Sequence, residues 1–188
     1  MYSVGSSRVM FAMFRICFLL IPLVSAFNLF SQNTYKIEYH HGIVEGFNKQ
    51  FVDFFKFAYN KYNRTARAFD LKIRFSKKIE TMKVLLEAFK FINNQYRSFI
   101  PINMVFDVCS AIKSDLFGMK ELMTKSGNFT SCPIQKDSYV MEKFTPDETQ
   151  FPPNIPLGQY KFSLSFTTND KFLMKFTVAS EVKNRKDV

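Results

Sequence analysis

Apolar and polar side chains alternate along several stretches of the chain. Over residues 68–76, Phe69, Leu71, Ile73 and Phe75 alternate with Asp70, Lys72, Arg74 and Ser76. A period of two predicts a strand with one buried and one wet face. Residues 160–167 repeat it with Tyr160, Phe162, Leu164 and Phe166. Residues 171–178 do so again, with Phe172, Met174, Phe176 and Val178 expected on one face. The intervening Thr168-Asn169-Asp170 has hairpin chemistry. Tyr35-Lys36-Ile37-Glu38-Tyr39 is a shorter piece of the same kind.

Other segments are less regular. Residues 51–62 are so apolar that periodicity does not separate strand from helix. Met82, Leu85, Leu86 and Phe89 have helical spacing, but Asn93-Asn94-Gln95 reads as a turn, which favours a strand over 82–91 followed by another over 96–109. Pro101 places the latter at an edge or a bulge. Over 110–124 the period becomes helical, with Ile112, Leu116, Met119, Leu122 and Met123 in one stripe. Pro146 and Pro152-Pro153 mark a loop before the final hairpin. Short strands with one amphipathic helix predict a mainly β sandwich.

The first 26 residues read differently. Arg8 and Arg15 precede a short apolar run, residues 16–24, which leads into the small residues Ser25-Ala26. This is the build of a secretory signal peptide. A retained anchor is the alternative, but the run after Arg15 is shorter than the roughly 20 residues that a spanning helix needs. Cleavage after Ala26 removes two Arg and no acid, leaving residues 27–188 as a single domain with a net charge of +8.

Composition narrows the class. The 188 residues are 47% hydrophobic, which excludes general disorder, and this length argues against most two-domain enzymes. Loss of Cys17 with the leader leaves Cys109 and Cys132, most simply a disulfide in an oxidising compartment. The sequons Asn63-Arg64-Thr65 and Asn128-Phe129-Thr130 fit the same location. The expectation is a secreted, extracellular glycoprotein.

Five short signatures occur in order: Phe51-Val52-Asp53-Phe54, Asn63-Arg64-Thr65, Asp107-Val108-Cys109, Ser131-Cys132-Pro133 and Leu157-Gly158-Gln159-Tyr160. Together they resemble the large insect family of secreted proteins of unknown function related to ML lipid-recognition domains, whose better-known relatives include the chemosensory B-type proteins. The resemblance spans residues 44–180. It implies an immunoglobulin-like, ML-type β-sandwich with one short amphipathic helix, whose sheets can part to admit an apolar ligand. Members of that family usually carry a second cysteine pair upstream. The aligned positions here, near Val44 and Phe57, are apolar, which puts the rigidity of the first hairpin in doubt.

Little in the chain suggests catalysis. The histidines are the tandem His40-His41, which point to opposite faces if they lie on a strand, and no lipase-type elbow or phosphate loop is present. Asp70, Glu80, Glu87 and Asp107 offer carboxylates, but nothing in the sequence brings two of them together. No catalytic residue, metal site or cofactor is therefore expected. The basic residues Lys36, Lys72, Arg74, Lys161, Lys171 and Lys175 fall on polar strand positions and form no block of the kind nucleic-acid binding needs. A cell-surface receptor or an anionic surface remains a candidate partner.

The remaining signal is phenylalanine: 24 in the chain, 21 after the leader. A packed aromatic core accounts for it as well as a ligand cavity does. The family resemblance favours a cavity lined by Phe69, Leu71, Ile73, Phe75, Phe106, Phe162, Leu164, Phe166, Phe172, Met174 and Phe176, with Met119 and Met123 of the helix adapting to the guest. The expected function is non-catalytic binding or carriage of a lipid or other small hydrophobic molecule, in a chemosensory setting. The alternative is an extracellular protein–protein interaction module with a dry, closed core. A carrier tethered by an uncleaved signal is a third reading.

Overall fold

The computed structural model describes residues 32–129 and 132–187. The expected signal segment lies outside the described residues, as does Thr130 of the second sequon. Among the described residues eight strands form two antiparallel sheets. The larger has the spatial order β1 (Tyr35–Phe47), β8 (Lys171–Asn184), β7 (Gly158–Thr168), β4 (Lys83–Ile92), β5 (Gln95–Asp107). The smaller has β2 (Val52–Lys61), β3 (Arg67–Phe75) and β6 (Ser138–Phe144). Between β5 and β6 lie α1 (Val108–Lys113), a 3-10 turn (Leu116–Gly118) and α2 (Met119–Ser126). The result is the mainly β sandwich that the alternating pattern predicts.

Aromatic contacts hold the layers together at one side. Phe57 of β2 lies with its ring centroid 4.2 Å from that of Phe176 on β8, and Phe55 lies 6.0 Å from the same ring. Tyr39 of β1 meets Phe69 of β3 edge-on at 5.0 Å. Such pairs add roughly 0.5–1.5 kcal/mol each beyond the area they bury. Gly42 of β1 is what lets Phe57 lie there, because a Cβ at that position would sit 2.4 Å from the ring.

The undecided segment 51–62 is strand β2, paired residue for residue with β3 from Phe54↔Arg74 onward. Strand β1 runs eight residues past Tyr39, and its ladder with β8 carries irregularities between Tyr39 and His41 and between Val44 and Gly46. These breaks, with two glycines, erase the alternation that marks its first half. The helical stretch expected over 110–124 is present but broken after Lys113. Asp115, Phe117 and Gly118 all have positive φ, and Asp115 Oδ1 accepts from the Lys120 N–H.

The loop 145–157 is tied to both chain ends of the fold. Gln32 Nε2 donates to Glu148 O at 2.8 Å, and the Arg185 guanidinium pairs with the Glu148 carboxylate at 3.2 Å. Tyr35 donates its hydroxyl to Pro152 O and Tyr160 to Pro156 O, each at 2.7 Å. The bond Cys109–Cys132 links α1 to the segment entering Ile134, which exchanges backbone hydrogen bonds with Ile79.

Candidate functional site

Paired positions of an antiparallel ladder share a face. From Phe176, which meets Phe57 of the other layer, the inner face of the larger sheet can be followed strand by strand. Phe176 pairs with Leu164, Leu164 with Leu86, and Leu86 with Met104. One row further, Met174 pairs with Phe166, Phe166 with Val84, and Val84 with Phe106. In the smaller sheet Phe69, Leu71, Ile73 and Phe75 of β3 lie on one face, opposite Tyr59, Phe57, Phe55 and Val52 of β2.

Burial is uneven across this interior. Under β1, β8, β2 and β3 it is mostly sealed: Phe55, Phe57, Phe69, Ile73, Phe75, Met174 and Phe176 are buried, while Val44, Phe47 and Tyr59 are half-buried. Toward β7, β4 and β5 it is sealed only in part: Val84, Ala88, Ile102 and Tyr160 are buried, and their neighbours are not. Leu86, Met104, Phe106, Phe162, Leu164 and Phe166 point inward yet are only half-buried, as is Leu71 on the central strand of the opposite layer. What stands over this part is irregular. Phe106 meets Phe117 of the 3-10 turn at 6.2 Å, Phe117 meets Phe151 of the loop at 5.8 Å, and Met119, Leu122 and Met123 of α2 pack against the core while half-buried.

Twelve of the thirteen expected lining residues therefore belong to the interior or its cover. Phe172 does not. The β7–β8 ladder slips between Phe166 and Thr167, so Phe172 pairs with Thr167, on the outer side of β7, and is 41% exposed. Leu173 takes the core place and is fully buried. Sequence reasoning missed Leu86, Phe99, Met104 and Phe151. Strand β4 is apolar on both faces, so its inner set carries no period, and Phe151 sits in a proline loop with no pattern at all.

Polar groups in the interior are few. Burial pushes the hydroxyls of Tyr35 and Tyr39 well above the ordinary tyrosine range, and it pushes Tyr160 up to about 12. Ser180, buried and paired with Tyr39 and Tyr160, has no hydrogen-bond partner for its Oγ among the described residues. His40 and His41 are both exposed at the β1 irregularity. Among the described residues no group of three His, Cys, Asp or Glu is placed to hold a metal ion.

The outer side of the smaller sheet carries a shallow depression of about 260 Å³ lined by Lys56, Asn60, Tyr62, Asp70, Lys72, Glu142 and Lys143. Its acids are already engaged. Glu142 pairs with Lys72 at 2.8 Å. Burial opposes the charge on Asp70, but hydrogen bonds from the Lys143 N–H and from Asn60 outweigh it and hold the carboxyl below its usual range. Asn63 and Asn128 are both exposed. Among the described residues no helix is long and apolar enough to cross a membrane.

No curated protein matches the chain. A family model does match residues 81–162, from the start of β4 to the middle of β7, the stretch that supplies the helical cover, the disulfide and most of the half-buried wall. Over that stretch the chain is similar to the family described as "Protein of unknown function (DUF1091)".

Proposed function

We propose that this protein is a secreted, non-catalytic binder of a lipid or other small hydrophobic molecule, held between the sheets of an ML-like sandwich. The observation that carries this reading is the uneven sealing of the interior. Inward-facing Leu71, Leu86, Phe106, Phe162, Leu164 and Phe166 stay half-buried, while equally apolar positions one or two strands away are closed. Incompletely buried phenylalanine and leucine on an inner face leave a driving force unspent. A guest removing about 400 Å² of apolar surface from water would gain on the order of 10 kcal/mol before association costs. The resemblance to secreted ML-related proteins supports the same reading, as does a wall that offers shape more than hydrogen bonds.

The test is extraction of the purified secreted protein with organic solvent, followed by mass spectrometry. One lipid-like molecule per chain is expected. The variant Leu164→Trp, which fills the half-buried part of the wall, should keep the β-sheet circular dichroism and lose the guest. An empty extract from the unaltered protein, with no uptake of an added radiolabelled fatty acid, would overturn the proposal in favour of a closed interaction module.

A further inference from the structure

The end of the sandwich formed by the β4–β5 hairpin is apolar on both sides. Asn93 and Asn94 both have positive φ, 51° and 62°, the geometry of a tight two-residue hairpin turn. Next to it Phe91 and Tyr96 pair across the ladder, with ring centroids 5.1 Å apart and exposures of 38% and 42%. Ile92 points to the opposite side and is 42% exposed. Leu157, 52% exposed, lies beside this end, since its neighbour Gly158 abuts the Lys90 side chain. A flat protein partner would cover one side of such a tip; a lipid interface surrounds both.

Charge points the same way. Residues 88–102 contain Lys90 and Arg97 and no acid, and residues 151–169 contain Lys161 and no acid. Lys161 Nζ stands 5.2 Å from the ring centroid of Phe89 and 5.4 Å from that of Tyr96, and Lys90 Nζ stands 5.7 Å from that of Tyr160. Among the described residues none of these three cations is in an ion pair, and Glu181 on the adjoining part of β8 is taken by Lys183. Aromatic rings beside long cationic side chains suit the boundary between acyl chains and anionic headgroups. We infer that the β4–β5 hairpin tip, with Phe91, Ile92, Tyr96 and Leu157 ringed by Lys90, Arg97 and Lys161, docks this protein on an anionic lipid bilayer. The inference does not depend on what the interior holds.

Sedimentation of the full secreted chain with vesicles tests it. Vesicles of phosphatidylcholine with phosphatidylserine should bind the protein, and vesicles of phosphatidylcholine alone should not. Near an anionic leaflet each basic side chain contributes about fivefold in partition. The triple variant Lys90→Glu, Arg97→Glu, Lys161→Glu should therefore bind roughly 100-fold more weakly or worse. Phe91→Ser with Ile92→Ser should also lose binding, while Val105→Ser, an exposed position away from the tip, should not. Because the chain has no Trp, Ile92→Trp is a clean reporter, whose emission should shift to the blue and be quenched by brominated acyl chains. Equal binding to neutral vesicles, no binding to either, or binding unaffected by the Phe91 and Ile92 changes and competed by heparin would each overturn the inference. Since these readouts follow the protein on the vesicle, an empty solvent extract has no bearing on them.

Discussion

Leu173 and Phe172 are adjacent, similar in hydrophobicity, and opposite in environment. One is fully buried and the other 41% exposed, because a single slip in the β7–β8 ladder exchanges their faces. Leu173→Ala should therefore destabilise the fold by roughly 2–5 kcal/mol, and Phe172→Ala by less than about 1 kcal/mol. Chemical denaturation of the two variants checks this; comparable losses would place the slip elsewhere. A strict period of two assigns Phe172 inward with Met174 and Phe176, and only the observed register corrects it. Elsewhere the alternation reads well. Phe69, Ile73 and Phe75 are buried at the expected spacing, because β3 is the central strand of its sheet and the extra residues of its two irregular ladders fall on the partners β2 and β6.

At the scale of elements, legibility follows the regularity of each ladder. Strands β3, β7 and β8 show in the sequence because one face of each carries polar residues. Strand β6 does not, because Tyr139, Met141 and Phe144 reach the inside over a bulge, with Lys143 at positive φ. The cysteine pair was readable from the count left after the expected leader, whereas what it staples was not: the start of α1 is joined to the segment that bridges to Ile79. Closing this loop, with a sequence separation of 23, contributes roughly 3 kcal/mol in the chain-entropy model. Replacing both cysteines by alanine should lower the denaturation free energy by about that amount while leaving β-sheet circular dichroism in place. An unchanged midpoint would mean that α1 is held by packing alone.

Across the whole molecule, tyrosine hydroxyls join the larger sheet to the loop 145–157. Tyr35 and Tyr160 donate to carbonyls of that loop, and burial raises the pKa of both and of Tyr39, with Tyr160 at about 12. In the unfolded chain these phenols lose their protons near the ordinary value of 10. Between that value and the folded one the unfolded state binds fewer protons, so stability falls as pH rises. The contribution is complete below pH 10 and is lost as pH climbs through about 12. Melting temperatures measured from pH 8 upward should be level at first and then decline, and Tyr160→Phe should show the shallower decline. A level profile through pH 12 in both proteins would contradict this account.

The two walls are unequal, five strands against three. A paired strand cannot be adjusted by small amounts, because its neighbours fix it to whole-residue steps and each step inverts every side chain it carries. Segments 108–126 and 145–157 lie outside that lattice and can give by fractions of an ångström. If the interior holds the proposed guest, differences in its size would therefore be absorbed in these two segments, and selectivity could be retuned there without disturbing the scaffold beneath.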